Sequence, residues 1–241
     1  MAYRNSITFD GINSLEYGVY VSGSGAFDAP ARDIEMITVP GRNGSLAMDR
    51  GRYENIEVTY PAGLWELPNK SFEEALAAFR AELLSRYSYV VLSDTYNPDE
   101  FRLALYRSGL DVDPRVYNRA GEFSIIFDCK PQRFLTSGAT AVSLERGQHT
   151  LNNPTLFPAA PLIEVTGTGS FSFGGVEVEI SGSNHTVIDC DLMEAYDGTT
   201  SKNGNIVLTP NEFPKLQPGD NLITVGSGFS EFLITPRWWR L

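Results

Sequence analysis

The stretch Gly121-Glu122-Phe123-Ser124-Ile125-Ile126-Phe127-Asp128-Cys129 sends Phe123, Ile125, Phe127 and Cys129 to one side and polar groups mostly to the other. That period of two is the mark of a half-buried β-strand, whose successive side chains point to opposite faces. The same alternation runs outward from it in both directions. Ile56, Val58 and Tyr60 alternate with Asn55, Glu57 and Thr59. Phe101, Leu103 and Leu105 alternate with Arg102, Ala104 and Tyr106, and Val176, Val178 and Ile180 with Glu177 and Glu179. The 22 glycines and 14 prolines fall mostly between such runs, as turn punctuation. These patterns predict a mainly β protein.

One segment follows a different period. Phe72, Leu76, Phe79 and Leu83 recur at helical spacing behind Ser71, and Glu74 completes an S-x-x-E capping box in which hydroxyl and carboxylate each satisfy a free backbone N–H. Pro68 precedes it and an aromatic and β-branched run follows Tyr87, so the one substantial helix is expected from Ser71 to about Arg86.

The 241 residues allow one large domain or two smaller ones. A boundary is expected near residue 135, where Lys130-Pro131 is followed by Thr136-Ser137-Gly138-Ala139-Thr140, small and almost uncharged. Residues 1–135 hold 14 Lys and Arg against 19 Asp and Glu, whereas residues 136–241 hold 5 against 11. The two parts therefore present different surfaces to their surroundings. The overall charge of −11 argues against a grip on nucleic acid, which depends on cations neutralising phosphates. If the chain formed a ring, the same charge would suit a channel wall along which DNA slides. No basic and apolar leader is visible, and aliphatic runs such as Tyr89-Val90-Val91-Leu92 are too short to span a bilayer. Cys129 and Cys190 fit no ligand motif and are expected as reduced, buried thiols.

The sequence carries no enzyme signature, and neither a cofactor nor a metal is expected. His149 is placed on the approach to a strand. His185 lies near Asp189 and Cys190, but no further ligand has metal spacing, and a surface turn is the expected setting. Asp189 and Asp191 read as solvated acids at a strand end, although all-β glycosidases use carboxylate pairs. Gly23-x-Gly25, Gly167-x-Gly169 and Gly226-x-Gly228 lack the third glycine and helix of a phosphate cradle and are read as hairpin corners. The run from Asp197 to Gly204 lacks the closing glutamate of a calcium loop. Trp65, Trp238 and Trp239 suggest either sugar stacking or anchors in a core.

Two ordered motif clusters resemble a known family. The first runs Ile7-Thr8-Phe9-Asp10-Gly11-Ile12-Asn13-Ser14, then Tyr17-Gly18-Val19-Tyr20-Val21, then Val39-Pro40-Gly41-Arg42-Asn43-Gly44-Ser45-Leu46. Its turn dipeptides would set Arg42 at the tip of a long hairpin between Ile34–Val39 and Arg52–Tyr60. The second contains Asn153-Pro154, Pro161-Leu162-Ile163-Glu164-Val165, Val187-Ile188-Asp189-Cys190-Asp191 and Phe213-Pro214-Lys215-Leu216-Gln217-Pro218-Gly219-Asp220-Asn221. Together they resemble the distal tail proteins of siphoviruses, over nearly the whole chain.

The resemblance implies an N-terminal split-barrel-like β domain with one helix and a C-terminal galectin-like β-sandwich. It implies a homohexameric ring at the virion tail tip, assembled in the host cytoplasm. Its partners would be the tail tube protein, the tail-tip hub, fibre or lysin protein and the tape measure protein, with DNA passing through the channel and no membrane. Contacts between subunits are expected at Arg42, Asn43, Arg50 and Arg52, on the hairpin arm. The competing reading is a carbohydrate-binding β-sandwich module for host-surface attachment.

Overall fold

The alternation at Phe123–Cys129 belongs to a 16-residue strand, Ala120–Leu135, in the computed structural model of the chain, which describes residues 5–22, 28–115, 119–182 and 184–241. The chain divides into one unit of Met1–Arg133 with Leu241 and a second of Phe134–Arg240.

In the first unit the strands are β1 (Ile7–Phe9), β2 (Ile12–Asn13), β3 (Val19–Val21), β4 (Arg32–Thr38), β5 (Ser45–Tyr53) and β6 (Ile56–Trp65), followed by helix α1 (Phe72–Leu84). Then come β7 (Val90–Asp94), β8 (Glu100–Leu105), β9 (Val112–Arg115) and β10 (Ala120–Leu135). The main sheet runs β2-β1-β7-β8-β10-β6-β3, with β9 also paired to β10. Val58, Tyr60, Ala62 and Leu64 of β6 face inward beside Phe123, Ile125, Phe127 and Cys129 of β10. The Phe127 ring lies 5.1 Å from Phe9, 6.2 Å from Tyr60 and 5.7 Å from Tyr106, an aromatic centre for this core.

Helix α1 starts at Ser71 with both halves of its capping box formed and buries Phe72, Ala75, Leu76, Phe79 and Leu83, as the spacing predicts. The sheet curls until its two ends meet at a serine. The Ile7 amide at one end donates to Ser14 Oγ (3.3 Å), and the Ser14 hydroxyl donates to the Val19 carbonyl at the other (3.0 Å). The Val21 amide also donates to the Asn5 carbonyl. Asn13 caps the short turn that presents Ser14, so the first motif cluster encodes this closure.

Strand β8 reverses the sidedness that its alternation suggests. Glu100, Arg102 and Ala104 are buried, whereas Phe101, Leu103 and Leu105 face outward and are half-buried. The cause is register. Arg102 sits opposite Leu92, which itself pairs with Phe9 in the core, and Leu103 sits opposite the exposed Val91. Asp94 fixes that register by accepting the amides of Tyr96 (2.9 Å) and Asn97 (2.8 Å) in the connecting turn.

The second unit contains β11 (Val142–Ser143), β12 (Gly147–Asn153), β13 (Leu162–Gly167), β14 (Gly169–Phe173), β15 (Val176–Ile180) and β16 (His185–Asp189). It continues with β17 (Glu194–Asp197), β18 (Thr200–Ser201), β19 (Ile206–Thr209), β20 (Gly219–Val225) and β21 (Phe229–Thr235). One sheet is ordered β11-β21-β13-β16-β17-β18 and the other β12-β20-β14-β15-β19. Ile163, Val165, Ile188, Phe232 and Ile234 of the first share a core with Phe171, Val178, Ile180, Ile223 and Val225 of the second. This is a β-sandwich.

The chain passes between the two sheets at Thr168 and again at Ser227. Backbone packing there is so close that a Cβ on Gly167 would lie 2.2 Å from the Gly228 carbonyl oxygen, and one on Gly228 would lie 2.0 Å from that of Thr168. Gly167 and Gly228 are thus corners between sheets rather than hairpin tips. Gly23-x-Gly25 lies outside the described residues.

Candidate assembly surfaces

Strands β4 and β5 form a ribbon of their own, paired with each other and with no other strand among those described. Its turn differs in extent from the expected hairpin. The return strand is Ser45–Tyr53, and Ile56–Trp65 instead belongs to the main sheet, because Val58, Tyr60, Ala62 and Leu64 are drawn into the core. The tip closes with the Arg42 amide donating to the Val39 carbonyl at 3.2 Å, and Gly41 and Gly44 take left-handed backbone angles of 79° and 80°.

Nearly every residue of this arm is exposed. Ile34 and Met36 lie on one face of the ribbon and Leu46 and Met48 on the other, with exposures of 44%, 62%, 48% and 48%. A two-stranded hairpin is at best marginally stable alone in water. Its base is held by ion pairs. Arg32 binds Asp49, Arg50 binds Glu35 at 2.9 Å, and Arg52 binds Asp33 at 2.7 Å. The hydrogen bond to Asp49 raises the Arg32 pKa, and its counterpart lowers that of Asp49.

Two of the four residues expected to meet a neighbour therefore already have partners within the arm: Arg50 and Arg52 brace it. Arg42 and Asn43 stand exposed at its tip, and Arg42 has no ion pair among the described residues. Sequence reading missed the arm's apolar side chains.

The outward face of the main sheet is a second apolar feature of this unit, half-buried apart from Val91. Val91 (44% exposed) lies opposite Leu103, with Phe101 and Leu105 beside it along β8 and Ile126 outward on β10. On its rim, Glu57 of β6 sits directly opposite Asp128 of β10. Asp128 is met by Arg107 at 3.0 Å and by Asn55 at 2.7 Å.

The remaining candidate residues have structural settings. Asp189 is buried and takes a two-point ion pair from Arg237 at 2.8 and 2.9 Å, along with the amides of Asp191 (3.0 Å) and Leu192 (3.1 Å). Burial works to raise its pKa, but the hydrogen bonds from Arg237 and these amides prevail and hold it below the usual carboxylate range. The expected solvated acid is thus an anchor for the turn after β16. Asp191 shares no carboxylate pair with it, because the chain turns between them.

His185 opens strand β16 rather than lying in the preceding turn, and its Nδ1 is 3.1 Å from Asp197. His149 lies within β12, with Nε2 2.7 Å from the Glu145 carbonyl. Cys129 and Cys190 are free and buried, as expected, and burial pushes each thiol up to about 12. Trp238 is buried, and Trp239 stacks on Phe157 at 4.6 Å while donating to the Pro158 carbonyl. Both anchor the second unit's core.

The second motif cluster encodes loop bracing. Asn221 accepts the Gln217 amide at 2.7 Å and donates to the Gln217 and Gly219 carbonyls. Asn153 accepts the Thr155 amide and donates to the Phe157 and Leu216 carbonyls, tying together the loops on either side of the Ala159–Leu216 bridge. Both asparagines are buried, where unsatisfied amides would be costly.

No protein-family model matches the sequence, and no curated protein matches it. Solved structures do. The crystal structure of the Dit (gp 19.1) protein of phage SPP1, described as a paradigm of the hub adsorption apparatus in phages infecting Gram-positive bacteria, aligns with a TM-score of 0.73 at 11% identity, covering 99% of this chain and 100% of that one. The phage p2 baseplate in its activated conformation with strontium contains a chain that aligns with a TM-score of 0.51 at 11% identity, covering 99% of this chain and 98% of that one. From end to end, this chain has the fold of a phage Dit protein.

Proposed function

We propose that this chain is a structural distal tail protein of a long-tailed phage. In this reading six copies form a ring that joins the tail tube to the tail-tip or baseplate hub and leaves a channel for DNA. The observation that carries it is the likeness to the SPP1 Dit protein over 99% of this chain, which takes in the curled sheet, helix α1 and the second-unit sandwich. The sandwich takes the place of the galectin-like module, and the role is mechanical rather than catalytic.

Two features of the molecule support the ring. A cyclic assembly needs two different surfaces that fit each other, and the first unit carries an exposed apolar arm, β4–β5, and a half-buried apolar outer sheet face with Val91 exposed on it. The acidic balance suits a channel that must not hold DNA. Partners in this reading are further copies of the chain, the tube protein above, the hub, fibre or lysin protein below, and the tape measure protein. Assembly takes place in the host cytoplasm and the product resides at the virion tail tip. Negative-stain imaging of concentrated protein tests the proposal. Six-membered rings with an open centre are expected, and a field of single subunits at every concentration would overturn it.

A further inference from the structure

The dipeptide Asn-Gly occurs twice in the chain, at Asn43-Gly44 and at Asn203-Gly204. It is the asparagine context most open to attack by its own backbone. The glycine has no side chain, so its amide nitrogen can swing against the asparagine side chain. The two copies of the dipeptide lie in opposite settings.

Asn43 and Gly44 form the exposed tip of the β4–β5 arm. The turn is closed one residue earlier, by the Arg42 amide on the Val39 carbonyl. Neither the Asn43 side chain nor the Gly44 amide has a hydrogen-bond partner among the described residues. Gly44 has a φ of +80°, and a Cβ built on it would meet nothing within 4 Å. Nothing packed against the tip therefore resists a local rearrangement.

Asn203 and Gly204 instead belong to a short 3-10 turn, Asn203–Asn205, that leads into β19. Asn203 Oδ1 accepts the Ala195 amide at 2.7 Å, and the Asn205 amide donates to the Lys202 carbonyl at 2.8 Å. The side chain that would be attacked and the backbone that would attack it are both held. Asn13, which precedes Ser14, is held in the same way. Its Oδ1 accepts the Leu15 amide at 2.9 Å, and its Nδ2 donates to the hydroxyls of Ser6 and Thr8.

We infer that Asn43 is a site of spontaneous covalent modification, converting to aspartate and isoaspartate, and that the fold protects Asn203 from the same reaction. The Gly44 nitrogen gives up its proton to water or hydroxide and bonds to Asn43 Cγ. The Cγ–Nδ2 bond breaks, ammonia leaves, and a five-membered imide closes. Water then adds at either ring carbonyl. One opening restores the normal backbone with an aspartate side chain, and the other routes the backbone through the side chain as isoaspartate. Either product sets a carboxylate beside Arg42, so the positive charge of the tip is neutralised as the protein ages. This inference does not depend on the ring.

The test is to hold the folded native chain at mildly alkaline pH, digest samples over time, and follow both peptides by liquid chromatography and mass spectrometry. Conversion of amide to acid shows as a mass gain, and isoaspartate elutes apart from aspartate. The Asn43 peptide should convert. The Asn203 peptide should lag by roughly tenfold or more, because its hydrogen bond and turn must open before it reacts. In denaturant the two rates should converge. Asn43→Gln, whose longer side chain cannot close a five-membered ring, should abolish the reaction at the arm and leave Asn203 as it was. An Asn43 that stays intact, or equal conversion of the two sites in the folded chain, would overturn the inference. So would a gap that persists in denaturant, since flanking sequence rather than fold would then set it.

Discussion

Strands β8 and β15 carry the same kind of pattern and use it in opposite ways. In β15, Val176, Val178 and Ile180 enter the sandwich core while Glu177 and Glu179 face solvent. In β8, Glu100 and Arg102 point in while Phe101, Leu103 and Leu105 point out. Alternation specifies that successive side chains part to two faces, and nothing more. Which face becomes the core depends on register with the neighbours. In β15 that register places Val178 opposite Phe171, and in β8 it places Arg102 opposite Leu92.

The largest effect should come from breaking the conventional strand. Val178→Asp buries an unpaired carboxylate in the sandwich and should cost more than about 4 kcal/mol, seen as loss of the second unit's cooperative thermal transition. A buried charge with full partners comes next. Asp189→Asn breaks the pair with Arg237 and should cost about 3 kcal/mol, the low end for buried pairs because Arg237 is partly exposed. The folded pKa of Asp189 lies below the unfolded value of ~3.9, so its contribution is complete above that pH and lost as pH falls through the folded pKa. Acid titration of unfolding should therefore be flatter in the variant.

The thiols work in the other direction. Each has a folded pKa of about 12 against an unfolded value of ~8.5, so the stability it contributes is complete below the unfolded value and declines by about 1.4 kcal/mol per pH unit above it. Denaturant melts between neutral and alkaline pH should show this slope, and Cys190→Ala should reduce it. Arg102→Met sharpens the comparison from inside β8. A buried cation without hydrogen bonds at its terminal nitrogens is replaced by an apolar chain of similar length, so stability should rise by about 1 kcal/mol or stay level in the same melts. A small effect on stability is expected of Leu103→Asp, which changes a half-buried outward position and should lower the subunit's melting free energy by about 1 kcal/mol.

Much of the fold was legible in the sequence because burial writes itself into spacing. The Ser71–Glu74 capping box and the Phe72–Leu83 stripe marked α1, and period-two runs marked β6, β10 and β15. The return strand of the arm was not legible, because Ser45–Tyr53 has no core face and so no alternation to reveal it. The outward face of β8 was hidden for a related reason, since sidedness depends on a register set by Asp94 and its turn. Asp189 looked solvated because its partner lies 48 residues on, at Arg237, which holds a left-handed backbone angle of 58° that no local pattern announces. Of the candidate contact residues, Arg42 and Asn43 kept an exposed position, while pairing with Glu35 and Asp33 could not be foreseen for Arg50 and Arg52 without the strand register.

Solution mass, measured by light scattering over a wide concentration range for the native chain and for Leu103→Asp, tests the ring most directly. The prediction is a native species approaching six times the 26.6 kDa chain mass, with the variant staying at a single chain while remaining folded. A native chain that stays single at every concentration, or a folded variant that assembles as the native chain does, would contradict it.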